Sequence, residues 1–163
     1  AETDSDGSSR KEVLMDKYLQ DRELIRAALE AREQAYAPYS NYLVGAALLT
    51  ANGTVFQGCN IENASYGAAN CAERTAFFKA VSQGEREFLA IAIVGGSRET
   101  GQGEVFPDLA YPCGICRQVM REFCGPDFRI LVGRSTEEFR EYTLEELLPE
   151  SFGPAWKQRD CQN

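Results

Sequence analysis

Histidine is absent from the 163 residues of this sequence. Its absence excludes serine-histidine and cysteine-histidine catalysis, proton shuttling by imidazole, and any metal site with an imidazole ligand from this chain. Basic residues are scarce as well, because 17 lysines and arginines stand against 25 acidic residues, for a formal net charge of -8. Such a charge repels nucleic acid backbones and anionic membrane surfaces, so we expect neither as a partner. The remaining groups for chemistry are carboxylates, thiols and the backbone.

Long apolar runs are also missing from the sequence. No stretch approaches the roughly 18 apolar residues that span a bilayer, and Ala1 to Asp6 does not resemble a signal peptide. We therefore expect a cytoplasmic protein in a reducing compartment. In that setting, closely spaced cysteines are more often metal ligands or redox groups than disulfides. The six cysteines lie at positions 59, 71, 113, 116, 124 and 161.

The order of the predicted elements indicates the fold class. We interpret residues 1–11 as a flexible acidic tail, 12–153 as one domain and 154–163 as a C-terminal tail. Helices are predicted over 16–36, 71–81, 113–123 and 142–148, and strands over 43–50, 55–61, 89–94 and 128–132. Asn52-Gly53 predicts a hairpin between the first two strands. Helices and strands alternate after the hairpin, which predicts an α/β domain, a three-layer α/β/α sandwich with a mixed sheet.

Two short motifs place cysteines at the starts of predicted helices. The first is Cys71-Ala72-Glu73, and the second, some forty residues later, is Pro112 followed by Cys113, Gly114, Ile115 and Cys116. The positive end of a helix dipole favours thiolates at such positions. Three thiolates are suited to zinc, and three protein ligands with an open fourth position are typical of a catalytic zinc site. The sequence therefore predicts one zinc ion held by Cys71, Cys113 and Cys116.

Glu73 is the predicted proton carrier of this site. A carboxylate beside water on the metal can take its proton and deliver it to a substrate nitrogen, as histidine does elsewhere. Residues two apart point to different sides of a helix, so Cys71 and Glu73 can share one centre only if it lies beyond the helix end. Three thiolates and one Zn²⁺ leave an excess negative charge. We hypothesise that Arg74 offsets it through hydrogen bonds to the ligand sulfurs.

Other interpretations of the cysteines stay open at this point. Cys113 and Cys116 alone would suit a structural zinc site or a redox pair. Cys59 or Cys124 could supply a fourth ligand, although both are better explained as small buried apolar residues. Cys161 is expected to be an exposed free thiol. A non-catalytic protein that zinc merely stabilises is therefore an alternative to an enzyme.

Three segments together resemble the cytidine deaminase family, in its small homotetrameric branch with zinc on three cysteines. They are Asn60-Ile61-Glu62-Asn63-Ala64, Cys71-Ala72-Glu73-Arg74-Thr75 and Pro112-Cys113-Gly114-Ile115-Cys116-Arg117-Gln118. The similarity runs from about Leu24 through Phe152. It implies a sheet of about five strands, one zinc per subunit, and active sites completed by neighbouring subunits. It also implies hydrolytic deamination of cytidine and 2′-deoxycytidine in pyrimidine salvage.

The resemblance assigns roles to individual residues. Cys71, Cys113 and Cys116 match the zinc ligands, and Glu73 matches the group that activates water for attack on C4. Asn60 and Glu62 match residues that bind the ribose 3′-hydroxyl, and the backbone of Ala72 matches a group that contacts the pyrimidine. Ala64 and Tyr66 match a stretch that reaches a neighbour's 5′-hydroxyl, and Phe152 matches an aromatic near a neighbour's base. Tyr42 stands where a phenylalanine often stacks on the base, Tyr111 replaces a frequent serine, and residues 97–110 form a long loop.

Substrate choice follows from Asn60 and Glu62 on physical grounds as well. An amide and a carboxylate two apart on a strand point to the same face and can bond neighbouring hydroxyls. A site built for a hydroxyl discriminates against a ligand that lacks it, so a nucleoside is expected to be preferred over free cytosine. A related deaminase of another small aminopyrimidine or aminopurine nucleoside is the alternative substrate class.

Overall fold

The computed structural model describes residues 5–101 and 103–155, and in them a mixed sheet lies between two layers of helices. The helices are α1 (Ser5–Arg32), α2 (Ala72–Ser82), α3 (Gly114–Phe123) and α4 (Leu144–Leu147), with a 3₁₀ turn at Tyr66–Ala68. The strands are β1 (Tyr42–Thr50), β2 (Val55–Cys59), β3 (Phe88–Ser97), β4 (Arg129–Gly133) and β5 (Phe139–Thr143).

The five strands pair in the order β2-β1-β3-β4-β5. The β3–β4 pair is parallel and the other three pairs are antiparallel. Side chains of β3 alternate between two cores: Ile91 and Ile93 belong to the cluster that contains α2 and α3, whereas Ala92 belongs to the cluster that contains α1. This alternation follows from the period of a strand. The predicted three-layer α/β/α fold with a mixed, five-stranded sheet is confirmed.

Two glycines allow helices to lie directly on the sheet. A Cβ atom on Gly45 of β1 would stand 1.9 Å from the carbonyl oxygen of Ala28 in α1. A Cβ atom on Gly58 of β2 would stand 2.4 Å from the carbonyl oxygen of Ala72, the first residue of α2. These distances are far below van der Waals contact, so both positions require glycine. The contact at Gly58 fixes the end of α2 where Cys71 precedes the helix.

Helix α1 differs from its predicted span at both ends. It begins at Ser5, so residues 5–11, predicted as part of a flexible tail, are helical, and residues 1–4 lie outside the described part of the chain. Arg10, Lys11 and Glu12 are good helix formers and extend a helix that the sheet anchors further along. At the other end α1 stops at Arg32, because the backbone of Tyr36 pairs instead with Asn60 and Glu62.

Strand β5 was not predicted, and the last helix is shorter than the predicted 142–148. Phe139 to Thr143 pairs antiparallel with β4 at the edge of the sheet. Thr143 then begins α4 with a capping box, in which its hydroxyl accepts from the amide of Glu146 and its own amide donates to the Glu146 carboxylate. The long loop predicted over residues 97–110 is anchored to β3, since Phe106 is buried against Gly96.

Two sequence predictions concern the last residues. The predicted tail over 154–163 reaches the described region only at residues 154 and 155, and Cys161 lies outside the described residues.

Over the residues that are described, no helix combines the length and the apolar character needed to span a membrane.

Candidate metal centre and active site

Two helix N-termini meet at the three predicted thiols. Cys71 is the N-cap residue of α2 and Cys113 is the N-cap residue of α3, both with extended backbone. The sulfurs of Cys71 and Cys113 are 3.7 Å apart, and those of Cys113 and Cys116 are 3.4 Å apart. All three sulfurs lie within 4.8 Å of one another. Because the cysteines stand at the helix ends, the centre lies end-on to α2, as the spacing of Cys71 and Glu73 requires.

The geometry and chemistry of this cluster suit one zinc ion. Tetrahedral thiolates at about 2.3 Å from zinc would be roughly 3.8 Å apart, close to the observed 3.4 and 3.7 Å. Among the described residues, Cys59 and Cys124 do not join the group. Cys124 is buried in the core, and Cys59 is half-buried in β2. The described part of the chain therefore brings three thiol ligands to this centre.

Hydrogen bonds favour the thiolate form of Cys71. The Cys116 sulfur lies within 4.8 Å of the Cys71 sulfur, and the Nη2 group of Arg74 donates to the Cys71 sulfur at 3.4 Å. Together with a hydrogen bond from Cys113, these contacts lower the pKa of Cys71 to about 5. The neighbouring Cys71 thiolate and burial raise the pKa of Cys116. Arg74 thus contacts the cluster where the hypothesis of charge compensation places it.

Glu73 is buried beside the thiols, in the first turn of α2. It is 4% exposed, and its Oε2 atom is 3.8 Å from the sulfur of Cys116. Burial, together with the charge of the Cys71 thiolate, raises the pKa of Glu73 to about 7. A carboxyl group with that pKa can both accept and donate a proton near neutral pH. Ala72, between Cys71 and Glu73, is fully buried.

The predicted sugar-binding residues face one stretch of backbone. The Asn60 side chain accepts from the amide of Val44 at 2.8 Å and donates to the carbonyl of Tyr42 at 2.9 Å. The Glu62 carboxylate accepts from the amides of Tyr39 and Ser40, at 2.9 and 3.1 Å, and hydrogen bonds involving Ser40 lower its pKa. Asn60 and Glu62 therefore lie on the same side of their segment, towards residues 39–44.

Backbone pairing joins this segment to the zinc-binding motif. Ile61 exchanges two backbone hydrogen bonds of 2.9 Å with Asn70, the residue before Cys71. Glu62 and Tyr66 also line a cavity of about 340 Å³ together with Tyr39, Ser40, Asn63 and Ala69. The three thiols do not line this cavity.

The remaining predicted residues lie at the surface of the single chain. Tyr42 begins β1 beside Gly95 and is 37% exposed. Ala64 is exposed, Tyr66 is 80% exposed, and Phe152 is 82% exposed. The chain therefore gathers the thiols, Glu73 and Arg74 into one centre, and it leaves Ala64, Tyr66 and Phe152 outside it.

Several supporting residues were missed by the sequence interpretation. Asn70 donates to the hydroxyl of Thr75 at 3.1 Å, and that hydroxyl donates to the carbonyl of Cys71 at 3.2 Å. A threonine four residues into a helix is a weak signal for such a bond. Tyr111, just before Pro112, shares a hydrogen bond of 3.0 Å with Tyr142 of β5, which the sequence could not indicate because β5 itself was missed.

Comparison with known families decides the interpretation of this centre. The model of the cytidine and deoxycytidylate deaminase zinc-binding region matches residues 19–132. The chain belongs to the cytidine and deoxycytidylate deaminase family. A cytidine deaminase from Halalkalibacterium halodurans is 50% identical over 129 residues, which cover 79% of this chain and 91% of that protein. A cytidine deaminase from Sporosarcina psychrophila is 49% identical, covering 79% and 88% respectively.

Solved structures support the same assignment. The cytidine deaminase from Burkholderia pseudomallei superposes with a TM-score of 0.71 at 49% sequence identity, covering 80% of this chain and 97% of that one. The cytidine deaminase from Mycobacterium tuberculosis gives a TM-score of 0.65 at 39% identity, covering 81% and 96%. The resemblance inferred from the motifs is thereby confirmed, and the three-cysteine cluster of this family member is compatible with one zinc ion.

Proposed function

We propose that this chain catalyses the hydrolytic deamination of cytidine and 2′-deoxycytidine to uridine and 2′-deoxyuridine, with release of ammonia. The observation that carries the proposal is a carboxylate, Glu73, buried 3.8 Å from a sulfur of a three-thiol cluster. That cluster lies in a chain about half identical to proteins named cytidine deaminases. The proposed physiological setting is pyrimidine salvage in the cytoplasm, performed by a single catalytic domain over residues 12–153.

Cys71, Cys113 and Cys116 would hold the zinc ion, which when bound supplies an acidified water as the nucleophile. Glu73 accepts a proton from the water and delivers it to N3 of the pyrimidine. After the water oxygen bonds to C4, Glu73 carries the second proton to the amino group, and the C4–N4 bond breaks to release ammonia. A pKa of about 7 suits Glu73 for both transfers.

The sugar is proposed to bind at Asn60 and Glu62. Asn60 uses one amide hydrogen and its carbonyl on the backbone, and it keeps a second hydrogen for a ligand. A carboxylate has about four acceptor positions, so Glu62 can accept from a ribose hydroxyl while it holds the amides of Tyr39 and Ser40. The backbone of Ala72 is proposed to contact the base, and Tyr42 to stack on it.

Neighbouring subunits of a homotetramer are proposed to complete the site. Ala64 and Tyr66 would reach the 5′-hydroxyl bound by a neighbour, and Phe152 would approach the neighbour's base. The high exposure of Tyr66 and Phe152 in the single chain supports these roles, because large aromatic side chains at the surface are typical of contact sites.

An ultraviolet assay of cytidine conversion tests the proposal. We expect zinc-loaded wild type to convert cytidine, and Glu73→Gln to lower kcat by about a thousandfold while retaining zinc. Glu122→Gln, at an exposed carboxylate on α3, is the matched control and should keep full activity. No conversion by the wild type would contradict the deaminase function. An active Glu73→Gln would contradict the proton-transfer role alone.

A substrate panel tests the sugar site separately. We expect cytidine and 2′-deoxycytidine to be preferred over free cytosine by about 10⁴-fold in kcat/KM, because Asn60 and Glu62 stay without ligand partners when the sugar is missing. Equal turnover of free cytosine would contradict the sugar-binding role. Faster turnover of another aminopyrimidine or aminopurine nucleoside would favour the alternative substrate class.

A further inference from the structure

The segment over residues 147–154 lies along α3 and is held there by side chains of that helix. Arg117 donates to the carbonyl of Leu147 at 2.6 Å, and Gln118 donates to the carbonyl of Phe152 at 3.2 Å. Arg121 donates to the Ser151 hydroxyl at 3.1 Å and to the carbonyl of Pro154 at 3.0 Å. Three residues of one helix are thus bonded to four successive points of the segment.

The backbone of this segment is constrained as well as bonded. Glu150 has a φ of 50°, in the left-handed region that non-glycine residues seldom adopt. Gly153 lies against the Arg121 guanidinium, and a Cβ atom there would stand 3.0 Å from its Cζ and Nη1 atoms. An unfavourable φ persists only where surrounding contacts enforce it. The bonds from Gln118 to Phe152 and from Arg121 to Ser151 and Pro154 are such contacts.

The ring of Phe152 takes no part in this fastening. Its own carbonyl, the Ser151 hydroxyl before it and the Pro154 carbonyl after it are bound to α3, whereas Phe152 as a residue is 82% exposed. Ile115, in the first turn of the same helix, is 62% exposed. A fixed backbone with an exposed apolar ring is suited to contact another molecule. Because the backbone is already ordered, binding through the ring costs less conformational entropy.

We propose that Gln118 and Arg121 are positioning residues that hold Phe152 in place to complete the site of a second copy of this chain. The inference rests on the proposed function, in which Phe152 approaches a neighbour's base. Helix α3 then serves two sites: Cys113 and Cys116 hold zinc for the chain's own site, and Gln118 and Arg121 present an aromatic ring to the neighbour's.

Mixed oligomers can separate these two duties. A Glu73→Gln chain keeps Phe152 but has no proton carrier, whereas a Phe152→Ala chain keeps Glu73 but has no ring. Each is expressed with a different affinity tag, and oligomers that contain both are purified on the two tags in turn. We expect kcat/KM per Glu73 in the mixed oligomer to be about tenfold above that of the Phe152→Ala oligomer.

The double substitution Gln118→Leu/Arg121→Met is then placed in one chain at a time. In the Glu73→Gln chain, which donates the ring, it should abolish the tenfold gain. In the Phe152→Ala chain, which has no ring to position, it should leave the gain intact. Arg86→Met in the ring-donating chain is the matched control, because Arg86 also bonds backbone carbonyls but at the end of α2. Its gain should be unchanged.

Three outcomes would overturn the proposal. A loss of activity when the double substitution lies in the Phe152→Ala chain would mean that these residues act on the zinc centre of their own chain. Full gain when the double substitution lies in the ring-donating Glu73→Gln chain would remove the positioning role. Absence of mixed oligomers, or of any gain, would remove the contact between copies.

Zinc content and circular dichroism of each variant, with Arg121→Lys as a milder substitution, exclude simple unfolding. Failure of the deaminase function itself would appear separately, as an inactive wild type.

Discussion

Among single residues, Arg74 is the cation that contacts the three-thiol centre. Three thiolates and one Zn²⁺ sum to a charge of -1, which weakens the acidification of water at the site. The Nη2 atom of Arg74 contacts the Cys71 sulfur, and among the described residues its buried Nε atom has no hydrogen-bond partner. This contact, made although one donor stays unpaired, supports the hypothesis that Arg74 offsets the negative charge of the thiolates.

Replacing Arg74 by Gln should therefore weaken the centre without unfolding α2. We expect zinc affinity to fall by about tenfold and kcat to fall with it, because the thiolates lose a cationic donor. Arg74→Lys should retain part of both, since it keeps the charge but not the fork of donors. Zinc affinity is measured by competition with a chelator, with Arg86→Gln as the control. Unchanged affinity and turnover would remove the role.

At the scale of elements, ion pairs fasten α1 to the edge of the sheet. Arg129 of β4 bonds both carboxylate oxygens of Asp21 in α1, at 2.8 and 2.7 Å, and also bonds Glu141 of β5. Lys17 of α1 reaches Glu141 at 2.9 Å. Tyr18 stacks on Phe139 with ring centroids 5.9 Å apart. These contacts explain why a helix with many exposed residues continues past the end of the core.

The same network predicts how stability depends on pH. Hydrogen bonds from Arg129 and Lys17 lower the pKa of Glu141 from 4.5 to about 2. Its contribution is therefore complete above pH 4.5 and is lost as the pH falls towards 2. We expect Glu141→Gln to lower the free energy of unfolding at pH 7 by about 0.5 to 1 kcal/mol, given its partial exposure, and the difference to shrink below pH 4.5. Urea unfolding measures it, with Glu12→Gln as the control. A deficit independent of pH would contradict the ion-pair origin.

Prediction from sequence was most successful where one signal was strong and local. The cysteines before helical segments predicted the three-thiol centre, because the start of a helix and the spacing of cysteines can both be recognised from a few consecutive residues. Strand β5 was missed because Phe139 to Thr143 mixes charged and aromatic residues, which an edge strand tolerates. Contacts between distant segments, such as Tyr111 with Tyr142 or Arg121 with Pro154, depend on tertiary packing that no local pattern records.

At the scale of the whole molecule, the single chain leaves aromatic side chains uncovered around its site. Tyr36, Tyr39 and Tyr66 are all more than half exposed near the Glu62 segment, and Phe152 is exposed beside α3. Clusters of this kind mark contact surfaces, because covering apolar rings that face water lowers the free energy of the system. Tyr66 and Phe152, which lie outside the three-thiol centre, are therefore the predicted contact residues between copies of the chain.

Association should accordingly control activity. We expect a homotetramer in sedimentation at micromolar concentration, and kcat per chain that falls on dilution as the assembly dissociates, because each site then loses the groups that neighbours supply. Tyr66→Ser should shift both transitions to higher concentration, whereas Tyr18→Ser, at a tyrosine on α1, should shift neither. Sedimentation and turnover measured over one dilution series would link the two. A monomer with full turnover would contradict both the assembly and the roles of Tyr66 and Phe152 between subunits, and it would leave Glu73 and the three thiols as a complete site.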